Sequence, residues 1–225
     1  MDITNSVVVV TGANRGLGRQ FAEQLLARGA KVYAAARNPE SIDLPGAIPL
    51  QLDVTDPVSI ERAAKVAADA TFLVNNAGSS TGQRLIAGDL DQIRLEMETH
   101  YFGTLQVTRA FAPVLEQNGG GAILNVLSVL SWRHPAAIGA YSAAKAAAWG
   151  LTDAVREELA PKGIAVTALH VGYMATDMAA HIPDDQKTDP AVIAALALDG
   201  VAAGKAEILA DDLSRWAKGN LSAEL

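Results

Sequence analysis

The stretch Val7-Val-Val-Val-Thr-Gly-Ala-Asn-Arg-Gly-Leu-Gly18, running on into Arg19 to Arg28, decides the fold. Four consecutive valines are β-branched and apolar, the composition of a strand buried on both faces. Glycines follow at 12, 16 and 18, and then apolar residues at Phe21, Ala22, Leu25 and Leu26. That i, i+1, i+4, i+5 spacing gives a helix one apolar face. Strand, glycine-rich turn and helix form a cradle for phosphate. Glycines let the backbone approach a pyrophosphate closely, and the free N–H groups at the helix start point toward the anion. The turn reads as a dinucleotide site, with Gly12, Asn14, Arg15, Gly16, Leu17 and Gly18 as candidate contacts. Its spacing is Thr-Gly-x-x-x-Gly-x-Gly, wider than Gly-x-Gly-x-x-Gly, and no Gly-Lys-Ser/Thr closes it into a P-loop.

Beyond this unit the chain keeps alternating strand and helix. Strands are expected at Lys31 to Ala36, Ala47 to Val54, Thr71 to Asn75, Gly121 to Leu127 and Ile164 to Leu169. Helices are expected at Pro57 to Ala68, with Asp56 as cap and Pro57 in the first turn, at Leu90 to Glu116 and at Tyr141 to Ala160. The alternation predicts one α/β domain over residues 1–225: a doubly wound, Rossmann-like parallel sheet with helices on both faces and ligands at the carboxyl ends of its strands. A chain of 225 residues, 50% hydrophobic, suffices for one such core. The net charge of −7 argues against a nucleic-acid partner. No apolar run has the length of a membrane span, and the N-terminus lacks a basic region followed by a hydrophobic core. With no cysteine, thiol chemistry and zinc-thiolate sites are excluded, no metal is expected, and a reducing cytoplasm is the expected location.

The end of the second strand should meet an adenosine ribose. It carries Ala36 and Arg37 with no acid, and Arg15 lies in the glycine turn. Two guanidiniums suit a 2′-phosphate, which favours NADP(H) over NAD(H). Chemistry is expected at Tyr141-Ser-Ala-Ala-Lys145, where residues four apart share a helix face. A neighbouring ammonium favours the phenolate and draws a phenol of ordinary pKa about 10 toward the working range. Ser128 closes the strand 13 positions before Tyr141. Hydride transfer to a ketone builds negative charge on oxygen, and two oriented O–H donors stabilise it.

These residues resemble the short-chain dehydrogenase/reductase family over roughly Val7 to Thr176, in particular its NADP(H)-preferring carbonyl reductases. The resemblance implies a catalytic set of Ser128, Tyr141 and Lys145, with Tyr141 as acid/base, Ser128 holding the substrate carbonyl and Lys145 also bonding the nicotinamide ribose. It implies that Asp53 and Val54 lie at the adenine, that Asn75 ties neighbouring strands, and that Ala77 and Gly78 leave room for the cofactor. Gly172 and Thr176 follow at the nicotinamide carboxamide. Two positions depart from the family pattern. His100 stands where the family carries an asparagine that holds a relay water for the lysine, and Val171 replaces a proline before Gly172. His100 either serves the relay, staying neutral beside Lys145, or fills space and leaves the relay weakened.

Specificity is expected in Ser79 to Leu85, in Leu130 to Ile138 and in a lid of about residues 173–190. Trp132, Ile138, Tyr173, Met174 and Met178 are candidate substrate contacts for a hydrophobic carbonyl compound or its alcohol. Beyond the lid come a helix at Ala191 to Ala203, a short edge strand near Ala206 to Leu209 and a terminal helix over about 210–220. That helix carries a stripe of Leu209, Leu213 and Trp216 to cover the core or a partner. A homodimer through the long helices is favoured over a tetramer. The expected function is NADP(H)-dependent interconversion of ketone or aldehyde and alcohol; the alternative is an NADP(H)-binding regulatory or redox-sensing protein whose turnover His100 has weakened.

Overall fold

The computed structural model describes residues 1–221. Seven parallel strands form one sheet in the order β3-β2-β1-β4-β5-β6-β7. They are β1 (Val7–Thr11), β2 (Lys31–Ala36), β3 (Ile48–Gln51), β4 (Phe72–Asn75), β5 (Gly121–Val126), β6 (Ile164–His170) and β7 (Glu207–Leu209). Between them run the helices α1 (Gly16–Ala27), α2 (Pro57–Val66), α3 (Leu90–Met97), α4 (Thr104–Gln117), α5 (Gly139–Leu159), α6 (Pro190–Ala202) and, last, α7 (Asp212–Gly219).

Strand periodicity splits the core into two layers. Val8 and Val10 of β1, Phe72 and Val74 of β4, and Ala122 and Leu124 of β5 pack under α1 and α6 with Phe21, Leu25, Ile193 and Leu198. Val9, Leu73 and Ile123, one residue out of phase, pack on the other face with Ile60, Phe111, Leu115 and Val155 from α2, α4 and α5. The uninterrupted apolar run in β1 is thus the consequence of having helices on both faces.

Several elements differ from expectation. β3 is only four residues long; it is the sheet edge, where Pro49 is tolerated because no further strand needs its missing N–H. The expected helix over 90–116 contains a π-helical segment, Glu98–Gly103, between α3 and α4. A side chain at Gly103 would lie 2.9 Å from the Val54 carbonyl, so the helix approaches the β3–α2 loop backbone there. The stripe of Leu209, Leu213 and Trp216 does not cover the core, which corrects that half of the expectation. Leu213 and Trp216 are exposed, and α7 docks instead through Ser214 and Ala217. Among the described residues, no helix is long and apolar enough to cross a membrane.

Candidate active site

The strand order reverses between β1 and β4, opening a crevice at their carboxyl ends. Asn76, absent from the expected site, joins its walls. The Thr11 hydroxyl accepts the N–H groups of Asn76 and Ala77 at 2.9 and 3.0 Å, and the Asn76 amide donates to the Thr11 carbonyl at 2.9 Å. The glycine turn lies against this clamp. Gly16 takes φ +54°, open to glycine at little strain, and a Cβ on Gly18 would lie 2.2 Å from the Gly12 carbonyl. Gly12 and Leu17 complete the turn, and Ala13 and Leu17 are buried beneath it. Arg15 precedes the first turn of α1, and no side chain caps that end, so its N–H groups are available to an anion. This narrow, uncapped cradle fits the pyrophosphate of a dinucleotide. Thr176 lies across the cleft, its methyl 3.3 Å from a Cβ placed on Gly16.

Around the adenosine end, Ala36 is buried at the tip of β2 and Arg37 is exposed, with no ion pair among the described residues. Arg15 is not free: it meets Asp177 at 3.3 Å, on the surface. Asp53 accepts the Thr55 N–H at 2.9 Å and caps its own turn, while Val54 packs on Gly103. The Asn75 amide donates to Asn125 at 2.9 Å and Thr108 at 3.2 Å, tying β4 to β5 and α4.

Ser128, Tyr141 and Lys145 meet where β5 ends and α5 begins. The Ser128 Oγ accepts the Leu130 N–H at 3.1 Å, which leaves its own O–H free to donate. Ser131, the other serine of this turn, is buried and closes the capping box from behind. Lys145 is buried, donates to the Val126 carbonyl at 2.8 Å and holds its Nζ 5.6 Å from the centre of the Tyr141 ring. Burial pushes this lysine down to about 8, against the opposing pull of Glu96. The phenol moves opposite to the expected direction. Burial and the Glu96 charge push Tyr141 above its ordinary range, and the Ser128 hydroxyl only partly offsets them. The phenol therefore keeps its proton.

His100 lies beside this group, its ring 5.0 Å from that of Tyr141 and nearly perpendicular to it. Its Nε2 is 2.7 Å from the Ser79 carbonyl and 3.3 Å from the fully buried carboxylate of Glu96. Burial, then Lys145, holds His100 below the usual histidine range, in keeping with the expected neutral ring. A side chain at Gly78 would clash with it, at 2.7 Å from Cε1. Sequence reasoning missed Glu96, because nothing in its helical spacing marks it as buried.

The expected substrate contacts separate into two groups. Trp132 is scaffold: it is buried, stacks on His170 at 3.8 Å and packs on Trp149 and Ala217. Met174 packs partly buried against the core beneath α1 and α6. Tyr173 and Met178 are exposed on the segment after Gly172, and half-buried Ile138 precedes α5. That segment consists of short turns at Asp177–Ala179 and Asp184–Gln186 with a single bridge from Met174 to Thr188. Gly172 itself is anchored by Asp211, which accepts its N–H at 2.6 Å and caps α7 at Ser214.

Residues 6–187 match the family model described as short chain dehydrogenase, and the chain belongs to that family. It is 33% identical over 197 residues to the 3-oxoacyl-(acyl-carrier-protein) reductase FabG of Salmonella typhimurium, covering 83% of this chain and 81% of the relative. Among solved structures it is similar to a short chain dehydrogenase from Burkholderia cenocepacia J2315 in complex with NADP. That match has 38% identity and a TM-score of 0.95, over 100% of this chain and 95% of the other. A short chain dehydrogenase/reductase from Burkholderia phymatum in complex with NAD shares the fold, with TM-score 0.84 and 23% identity over 99% of this chain and 96% of that one. The protein is an oxidoreductase of the short-chain dehydrogenase/reductase type.

Proposed function

We propose that this oxidoreductase reduces a hydrophobic ketone or aldehyde at the expense of NADPH, and oxidises the alcohol in reverse. One observation carries the reading: a free Ser128 hydroxyl, the Tyr141 phenol and the Lys145 ammonium converge at the end of β5, beside the glycine cradle. A reduced nicotinamide dinucleotide held in that cradle would supply the hydride for the carbonyl carbon. Ser128 donates a hydrogen bond to the carbonyl oxygen and orients it. Tyr141, whose buried phenol retains its proton, donates that proton as charge develops on the oxygen. The ammonium of Lys145 stabilises the phenolate left behind. The apolar exposed side chains of Tyr173 and Met178, with Ile138, suit a greasy substrate. The similarity to a 3-oxoacyl-(acyl-carrier-protein) reductase and to an NADP complex supports reduction of a carbonyl and the choice of cofactor.

The preference for NADP(H) is supported by Arg37, exposed just beyond β2 with no ion pair among the described residues and so free to meet a 2′-phosphate. Arg15 reaches the same phosphate only by leaving Asp177. We place the enzyme in a reducing cytoplasm as a homodimer, paired through the groove that Tyr101, Leu105, Leu151 and Ala154 line between α4 and α5. Its partner otherwise is the small carbonyl or alcohol substrate. A panel of aryl, alkyl and β-keto thioester substrates, followed by absorbance of NADPH and NADH, tests the reading. Turnover with NADPH exceeding that with NADH by about ten- to a hundred-fold supports it, the range expected for one charge-assisted phosphate contact. Tight NADPH binding with no oxidation across the panel supports the regulatory alternative.

A further inference from the structure

We infer that Glu96 is a positioning residue of the active site: a buried carboxylate that braces His100 against the Tyr141 ring and serves as counter-charge to Lys145. The inference rests on the reductase reading, and it deepens that reading by adding a group that the glycine turn and the Ser-Tyr-Lys set do not contain.

The geometry begins with burial. Glu96 has no exposed surface and His100 is 2% exposed. Glutamate is rarely so buried unless donors or cations compensate the loss of water. Here the Thr81 N–H donates to Oε1, and the His100 Nε2 lies 3.3 Å from Oε2. Burial opposes the charge, but the nearby His100 and the Thr81 groups together hold the carboxyl below its ordinary range, so Glu96 is an anion, with Oε2 left without a hydrogen-bond partner of its own. The Nε2 of His100 also lies 2.7 Å from the Ser79 carbonyl. A ring nitrogen facing two acceptors carries the hydrogen, which assigns the Nε2–H tautomer and leaves the Nδ1 lone pair free in the neutral ring. The ring is held on three sides: by the Ser79 carbonyl at Nε2, with the Glu96 carboxylate 3.3 Å from the same nitrogen, by Gly78 at Cε1, and by the face-to-edge contact with Tyr141.

The electrostatics follow from what faces this pair. From α5 come Lys145 and Tyr141; the loop through Ser79 and Thr81 offers a carbonyl, an N–H and buried hydroxyls but no charge; Ser128 offers a hydroxyl. Among the described residues Lys145 makes no ion pair, and its hydrogen bond goes to a neutral carbonyl. Glu96 is therefore the negative charge that opposes the effect of burial on Lys145. The same charge favours the protonated form of Tyr141. Reduction needs Lys145 charged and Tyr141 protonated, so removing Glu96's charge weakens both requirements in the same direction, at alkaline pH.

The test uses protein carrying lysine labelled with 13C at the ε-carbon, with the Lys145 signal identified by its loss in Lys145→Arg. In the unaltered chain the Lys145 signal is expected to titrate near pH 8. Glu96→Gln keeps the volume and an acceptor for Thr81, and is expected to lower the Lys145 midpoint by about one unit. Glu96→Asp, which retains the charge, restores most of it. In NADPH-dependent reduction the alkaline limb of kcat moves to lower pH in Glu96→Gln while the KM for ketone stays within about two-fold, since the substrate does not touch Glu96. An unmoved Lys145 midpoint in folded Glu96→Gln, or a uniform fall in kcat with no change in the alkaline limb, overturns the inference. If no ketone is reduced, the reductase reading fails, and the lysine titration still decides the role of Glu96.

Discussion

At the scale of single residues, the site sets stability against chemistry. A lysine is buried under Tyr141, with a backbone carbonyl as its hydrogen-bond acceptor, and is pushed down to about 8. The unfolded chain holds that proton up to about pH 10.4, so between the two values the unfolded state binds more protons and folding stability rises with pH. Below pH 8 both states are protonated and the full cost of burying the charge remains. Lys145→Met has no such titration. Urea unfolding from pH 8 to 10.5 should show the unaltered chain gaining on Lys145→Met by on the order of 3 kcal/mol, with no relative gain between pH 6 and 7.5. The proposed set of Ser128, Tyr141 and Lys145 was legible because helical spacing puts the phenol and the ammonium on one face and the family resemblance adds the serine. Glu96 was not. A glutamate at that spacing is ordinarily solvated, and only the fold of the Ser79–Thr81 loop over it makes it a buried anion. Trp132 was misread for a related reason: an aromatic four residues after Ser128 gives no sign that His170, more than thirty positions away, will stack on it.

At the scale of elements, α7 illustrates how a short helix is held. Asp211 accepts the Ser214 N–H with one oxygen and the Gly172 N–H with the other, at 2.7 and 2.6 Å. One carboxylate thus caps the helix and anchors the start of the segment that crosses the cofactor cleft. Asp211→Ala leaves two shielded N–H groups without partners and should cost about 2–3 kcal/mol. Hydrogen exchange should show lost protection at residues 212–219, with β1, β4 and β5 unchanged. Asp211→Asn, which keeps one acceptor, should recover part of the loss. The helical stripe of Leu209, Leu213 and Trp216 pointed to the opposite face, because periodicity reports which side of a helix is apolar and not which side the chain can bring to the sheet. Here the capping box sets the entry angle, and it turns Ser214 and Ala217 inward. The π-helical segment at Glu98–Gly103 was equally hidden, since the residues around it keep an ordinary helical pattern. By contrast, β1 and α2 were readable from the valine run of β1 and from Pro57 and the Asp56 cap of α2, β2 was placed to the residue, and α6 was displaced by one residue.

At the scale of the whole molecule, the doubly wound sheet brings Gly12–Gly18 from the first βα unit within reach of Thr176, far along the chain, and sets Ser128 beside Tyr141. The topology was legible because strand and helix patterns alternate and crossovers in parallel sheets take one hand. The groove between α4 and α5, with Gly150 open to solvent and Leu151 half-buried, is where the proposed homodimer would pair. Sedimentation velocity at micromolar concentration should show a dimer, and Ala154→Arg, which adds a charge to the groove, should yield monomer with unchanged far-UV circular dichroism. The central claim is proton donation by Tyr141 to the oxygen of a carbonyl that receives hydride. Its most direct measurement is transfer of deuterium from 4-deuterated NADPH to the carbonyl carbon of a ketone, compared between the unaltered chain and Tyr141→Phe. Deuterium at the alcohol carbon of the product, with transfer slowed at least about a thousand-fold in Tyr141→Phe while NADPH binding persists, is the predicted result. Transfer at an undiminished rate in Tyr141→Phe would contradict it.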